Sequence, residues 1–355
     1  MVRVGIVQLD TSHCEYFTPV VNDFEDLKVT AVWDDGWVRA PGYAEEFARE
    51  FGLEKVCASL DELVDSVDVG MLFGQNWDLH LEQARAFLEA GKRVFIDKPV
   101  VGSMRDVVAL RELSERTGVP VMGGSSMRYA SELTALRERR EELGQIVSAF
   151  ASGPQDFFNY GVHAVAMVAG FFGPGVEAVR YITGETTDVG ETRPDQLGRV
   201  ARSAGPPQIV LLEQRDGPPI VLQLAAPDGW DYSFFLALTT DHGVEPLIIK
   251  SDEFWEARQH AQVADFSRYA HGEEPSVPLA GMLEEVTVCL AAAEARRTGR
   301  RVALDDIPLE AGFDGAAFTR AYAEGGGWHH AAGGGTTQPR STYLPPPEAS
   351  VISDA

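Results

Sequence analysis

Gly91-Lys92-Arg93-Val94-Phe95-Ile96-Asp97-Lys98-Pro99 is the stretch that decides the fold. A helix with Leu81, Ala84, Phe87 and Leu88 at helical spacing runs into Gly91, and the short apolar run Val94 to Ile96 follows at once. That run ends abruptly in an acid, a lysine and a proline. The pattern is that of a buried parallel strand delivering a charged side chain to its carboxyl end, the edge where open α/β sheets bind ligands. Lys28, Lys55, Lys92, Lys98 and Lys250 are all the lysines in 355 residues, which sets Lys98 apart from surface filler. The plain alternative is a solvated lysine at a strand end.

Outward from this stretch, strands and helices alternate. Val2 to Val7 opens a βαβ unit, with a helix expected from about Ser12; Leu27 to Trp33 and Val67 to Phe73 are further strands. Tyr43 to Phe51 is helical up to Gly52, and Ser59-Leu60-Asp61-Glu62 is a capping box. Ser103 to Asp106 starts a helix that Gly118 ends, and Val119 to Met122 closes the series. The alternation from Val2 to Met122 predicts a doubly wound parallel sheet, a Rossmann domain over residues 1–124.

A dinucleotide fold carries G-x-G-x-x-G after its first strand, for a tight turn and close approach of backbone N–H groups to the pyrophosphate. Gln8, Asp10 and His13 stand at those three positions. Asp10 is expected to cap the following helix, with Thr11 and Ser12 offering hydroxyls to the pyrophosphate. Asp34, with Asp35, ends the second strand where an acid binds the adenine ribose of NAD and disfavours the extra phosphate of NADP; both acids serve equally to begin a turn with Gly36. His80 lies in the first turn of its helix, where the helix dipole favours a neutral imidazole, as a cofactor contact or as a packing residue.

The formal net charge is −24, from 54 acidic and 30 basic residues. It disfavours nucleic acid and anionic membranes as partners. Cys14, Cys57 and Cys289 are scattered and form no CxxC pair, so neither a disulfide framework nor a metal site is expected. No apolar stretch approaches ~20 residues, and a cytoplasmic enzyme fits.

From Ala130 onward a charged helix precedes the strand Gln145 to Ala151. Then Asn159 and His163 follow at i, i+4, one face of a helix. Strand-like runs at 176–183, 208–213, 220–225, 233–238 and 244–250, separated by turn clusters, predict an antiparallel sheet. With the amphipathic helices 251–269 and 283–297 they form an α+β domain over 125–310. Trp230 and Tyr232 are substrate contacts or core and interface aromatics. Residues 311–355 read as an extension, largely a low-complexity tail, whose His329-His330 pair lacks partner ligands.

The segment from Asp78-Leu79-His80 to Asp97-Lys98-Pro99 resembles the family of glucose-fructose oxidoreductase, inositol dehydrogenase and MocA, which carries a helix histidine, an Ala-Gly-Lys-His-Val-like turn and Glu-Lys-Pro. Asp97 replaces the glutamate. Asn159-Tyr160-Gly161-Val162-His163 resembles the family's Asp-x-Gly-x-His, with Asn159 for aspartate, and Arg128-Tyr129 matches half of its Asn-x-Arg-Phe-like sequence. The resemblance implies a nicotinamide cofactor, NAD rather than NADP, held by Gln8, Asp10, Thr11, Ser12, Asp34, Gly74, Asn76, His80, Asp97 and Lys98. It implies Lys98, His163 and Asn159 as catalytic residues, with Arg128, Tyr129 and Tyr160 on the substrate. Arg128 equally suits a helix-start pair with Glu132. The implied reaction is hydride transfer between the cofactor and a secondary alcohol or ketone of a sugar, cyclitol or related polyol, in a homo-oligomer, dimer or tetramer. The alternatives are a cofactor-free binding or regulatory descendant, or transient use of the cofactor for elimination or glycoside cleavage.

Overall fold

The computed structural model describes residues 1–154, 157–182, 207–225, 233–250 and 255–324. Strands β1 (Val2–Val7), β2 (Leu27–Trp33), β3 (Lys55–Val56), β4 (Val69–Leu72), β5 (Arg93–Ile96) and β6 (Val121–Gly123) alternate with α1 (His13–Asn22), α2 (Tyr43–Phe51), α3 (Leu60–Ser66), α4 (His80–Glu89) and α5 (Met104–Thr117). All six strands run parallel in the order β3-β2-β1-β4-β5-β6. The order reverses between β1 and β4, and beyond the carboxyl ends of those two strands such a sheet opens its ligand crevice.

Local chemistry sets the boundaries. Ser59 Oγ accepts the N–H of Glu62 at 3.2 Å and Ser103 Oγ that of Asp106 at 3.1 Å, which starts α3 and α5. Helix α4 stops where Gly91 takes φ +70°, a backbone a side chain resists. Burial of β4 and of Val4–Val7 on both faces explains why these strands read as continuous apolar runs.

The second half contains α6 (Ser131–Glu138), β7 (Ile146–Gly153), α7 (Gly161–Phe172), β8 (Val176–Tyr181), β9 (Gln208–Gln214), β10 (Ile220–Leu224), β11 (Phe234–Thr240), β12 (Gly243–Ile249), α8 (Trp255–Ala270), α9 (Leu279–Thr298) and β13 (Val302–Ala303). Its sheet runs β12-β11-β7-β10-β9-β8-β13. Every pair is antiparallel except β7 with β10, where Ile220 stands opposite Ala149 in a parallel ladder. Helices α7 and α9 pack on this sheet, while Val147, Val244 and Ile248 stay about half exposed or more, at 49%, 66% and 55%.

The two halves are fastened along one side. Arg93, the first residue of β5, donates to the carbonyls of Tyr269 (3.0 Å) and Gly272 (2.8 Å) at the end of α8, where a cation is favoured. The Tyr269 hydroxyl accepts the N–H of Val94 at 2.9 Å and donates to the carbonyl of Pro120 at 2.7 Å. Phe95 and Phe266 meet edge to face at 6.0 Å.

One helix departs from the expected tail. Residues Gly315–Glu324 form α10, whose first N–H groups, on Gly315 and Ala316, donate to Asp78 Oδ2 at 3.0 and 3.1 Å. Phe318 lies against Trp77, ring centroids 4.8 Å apart. The pattern Phe318, Tyr322, Ala323 is amphipathic, but short enough to pass for filler between glycines. Residues beyond 324, with the His329-His330 pair, and Trp230 and Tyr232 lie outside the described residues.

Candidate active site

Lys98 leaves the end of β5 through a cis Lys98–Pro99 peptide. Its Nζ donates to Asn159 Oδ1 at 2.9 Å and lies 5.6 Å from the centre of the Tyr160 ring. His163, also buried, holds Ser125 Oγ at 2.6 Å through Nδ1. One expectation needs correction here. Asn159 does not share a helix face with His163, because α7 begins only at Gly161. The bonds from Val162 N–H to Phe158 O and from His163 N–H to Tyr160 O close a turn ahead of the helix, so the Asn159 amide reaches Lys98 and the imidazole turns to Ser125. Burial, and next the positive Lys98, push His163 well below the usual histidine range, so its ring is neutral at physiological pH.

Asp97 is buried behind this lysine and receives an unforeseen partner. His13 Nδ1 lies 2.5 Å from Asp97 Oδ2. Burial alone would raise the Asp97 carboxyl, yet His13 and Lys98 hold it below the ordinary range. His13 stands where the third glycine of a dinucleotide loop would, and nothing in spacing along the chain links it to an acid 84 residues on. Asp97, Lys98, Asn159, Tyr160 and His163 are thus brought together, joined by His13 and Ser125.

The loop after β1 is built around its missing glycines. Gln8 takes φ +67°, a left-handed conformation costing a non-glycine residue roughly 1 kcal/mol. Its amide offsets this by pairing twice with Asp35: Nε2 donates to Oδ2 at 2.6 Å, and Oε1 accepts the backbone N–H at 3.0 Å. Asp34 is spent beneath the loop, on the N–H groups of Leu9 (2.9 Å) and Gly36 (3.1 Å), so the turn with Gly36 holds the carboxylate expected on a ribose. Asp10 does not cap α1. Its Oδ2 accepts the N–H of Gln75 at 2.8 Å, tying the β1 loop to the β4 loop across the point of strand-order reversal. Thr11 Oγ1 accepts the His13 N–H at 3.2 Å, and Ser12 makes no side-chain cap bond.

Around the end of β4, Gly74 lies against the Gln8 side chain, and Asn76 Oδ1 accepts the Asp78 N–H at 3.2 Å. His80 is fully buried. Its Nε2 faces the carbonyl of Gly74 at 3.0 Å and its Nδ1 those of Pro99 and Val100 at 3.0 and 3.1 Å. A neutral ring donates through only one of these nitrogens, and both lie against backbone, so His80 packs between the ends of β4 and β5 instead of facing a ligand.

Arg128 and Tyr129 also turn away from the crevice. Arg128 Nε donates to the buried Glu285 of α9, not to Glu132, and the Tyr129 hydroxyl donates to Asp265 of α8 at 2.8 Å. Their helical turn, Ser126–Tyr129, is packed between α7 and α8, which directs both side chains inward.

Asp10, Asp34 and Asp35 bring carboxylate oxygens within 4.8 Å of one another. Burial, then the two neighbouring acids, push Asp10 well above the ordinary range, and burial raises Asp34 to about 6. Asp10 Oδ1 is buried without a hydrogen-bond partner, which adds to the cost of its ionised form. In the unfolded chain Asp10 ionises as pH rises past its ordinary value, while in the folded chain it resists. Stability is therefore lost with rising pH. Asp10→Asn, which mimics the protonated acid, is expected to melt roughly 2–4 °C above the wild type at pH 8, with the gap closing by pH 4. Thermal melts at the two values check this; an equal or lower melting temperature at pH 8 would show an ionised Asp10.

The start of α1, beyond the carboxyl end of β1, offers the backbone N–H groups that suit the phosphates of a dinucleotide. The chain joins a parallel Rossmann sheet to a second, mostly antiparallel sheet, and Lys98 lies near enough to His163 for its charge to act on the imidazole.

Residues 2–125 match the family described as an oxidoreductase family with an NAD-binding Rossmann fold, GFO_IDH_MocA. The match covers the first sheet and its helices. It is 25% identical over 176 residues to the scyllo-inositol 2-dehydrogenase (NADP(+)) of Bacillus subtilis, covering 49% of this chain and 52% of the relative. It is 31% identical over 107 residues to the glucose-6-phosphate 3-dehydrogenase of the same organism, covering 30% of each. The chain thus spans about half or less of these relatives' lengths. The scyllo-inositol dehydrogenase of Lactobacillus casei, solved with NAD(H) and scyllo-inositol, shares the fold over 86% of this chain and 99% of its own, with a TM-score of 0.70 at 15% identity.

Proposed function

We propose that this chain is an NAD-dependent oxidoreductase acting on a secondary alcohol or ketone of a sugar, cyclitol or related polyol. The observation that carries the proposal is the placement of Lys98 beyond the end of β5, held by Asn159 at the turn that leads into the helix of the buried His163. Nicotinamide, when bound, supplies the hydride acceptor. The chain's own residues manage the proton. The hydroxyl proton of the alcohol passes to the neutral amine form of Lys98, which thereby becomes the ammonium, and His163, uncharged and oriented by Ser125, accepts a hydrogen bond from the substrate and fixes its orientation. Asn159 Oδ1 accepts from the Lys98 Nζ and holds it in place, and Tyr160 offers its ring as a wall beside that nitrogen. NAD is favoured over NADP because the acids that end β2 set negative charge near the adenosine end of the crevice, even with Asp34 engaged beneath the loop, and that charge opposes a 2′-phosphate.

Val147, Val244 and Ile248, exposed on the second sheet, support self-association as a homo-oligomer. Among the described residues no helix is long and apolar enough to cross a membrane. Titration with NADH, followed by nicotinamide fluorescence, tests the cofactor, with at least ~10-fold weaker binding expected for NADPH. No binding at millimolar NADH, by this chain or by variants in which the crevice is opened, overturns the proposal.

A further inference from the structure

The geometry points to α10 as a strap laid along the dinucleotide path, so that the chain's own C-terminal helix and the cofactor exclude one another. This rests on the nicotinamide proposal above. The ten residues of α10 span about 15 Å. At one end Gly315 sits so close to Asn76 and Trp77 that a Cβ there would meet Asn76 Oδ1 at 2.6 Å, and Asp78 caps the helix. At the other end Ala323 is buried against Val38, with Tyr322 packed beside them; Tyr322 lies among Arg39, Asp10, Cys14 and Glu15. The helix therefore runs from beyond β4, past the β1 loop, to beyond β2. A dinucleotide bound at the switch point of a doubly wound sheet follows the same line, with adenosine at β2 and nicotinamide at β4 and β5.

The attachment is of a kind that can let go. Phe313, just ahead of the helix, is anchored: it stacks on Phe158 at 4.1 Å, and its carbonyl accepts the Trp77 indole N–H at 2.8 Å. Beyond it, α10 is held by Asp78 on two N–H groups, by Phe318 against Trp77, by Tyr322 near Arg39 and by the small Val38–Ala323 patch. Thr319, midway along, is buried with a hydroxyl that finds no partner. A buried polar group left unmet is a cost that releasing the helix removes.

A strap of this kind lowers apparent cofactor affinity by the fraction of time it is open, and loosening either end returns what was lost. In the full-length chain, Asp78→Ala removes the cap, and Ala323→Glu places a charge against Val38. Each is expected to lower the NADH dissociation constant by about tenfold or more. In the unmodified protein, saturating NADH is expected to speed amide hydrogen exchange across 315–324. Wild-type affinity in both folded variants, or unchanged or stronger protection of 315–324 with NADH bound, overturns the strap and leaves the cofactor proposal standing. Failure of the wild type and both variants to bind millimolar NADH overturns the cofactor proposal, and the strap with it.

Discussion

Lys98→Ala is expected to lower turnover of a polyol substrate by more than ~100-fold, the scale of a positioned acid–base group, without loss of the fold. Lys98 is half-buried and belongs to no hydrophobic core cluster, so the strand and the turn are expected to survive its removal. What disappears is the one ammonium beside His163. His163→Ala is expected to match it in size: its imidazole, kept neutral by burial and by Lys98, loses both its orientation by Ser125 and its contact with substrate. Each variant should retain NADH binding, which separates a chemical defect from a binding defect. The checks are initial rates with inositols and sugars, NADH titration and circular dichroism. Wild-type turnover in either variant removes that residue from the mechanism.

Glu285→Ala is expected to destabilise the chain by about 3–5 kcal/mol, because it strands a buried guanidinium. The Arg128 side chain is 12% exposed and that of Glu285 2%, and Arg128 Nη2 is already buried without a hydrogen-bond partner. Burial raises Glu285 to about 7 in spite of its arginine, so the pair is costly to keep and more costly to break. Replacing both, as Arg128→Met with Glu285→Leu, is expected to recover most of the loss. Urea denaturation of the three variants measures this. A single substitution costing under ~1 kcal/mol would place the pair among the exposed ion pairs of little consequence.

The parallel sheet was legible because its elements announce themselves locally: apolar runs for strands buried on both faces, Ser59 and Ser103 as caps, Gly91 and Gly118 as stops. Lys98 was legible for the same reason, as a charge at a strand end. The partners of these residues were not. His13 meets Asp97, Ser125 meets His163, and Arg128 meets Glu285 across 84, 38 and 157 residues, and no local pattern encodes such distances. His80 and Asp34 matched the positions of ligand-binding residues, yet their polar atoms satisfy backbone groups that burial would otherwise leave unmet. Position along a strand or helix therefore located the edge of the sheet, while hydrogen-bond competition within it decided which side chains still faced outward.

The Arg93–Tyr269 fastening limits how this molecule can breathe. A guanidinium on the end of α8 and one phenol bridging β5 to β6 cannot both survive a clamshell rotation of the two halves, since either would have to give up several directed bonds at once. Admission of anything to the crevice then falls to small peripheral pieces, and the protein resembles a fixed bench with a drop leaf more than a pair of jaws.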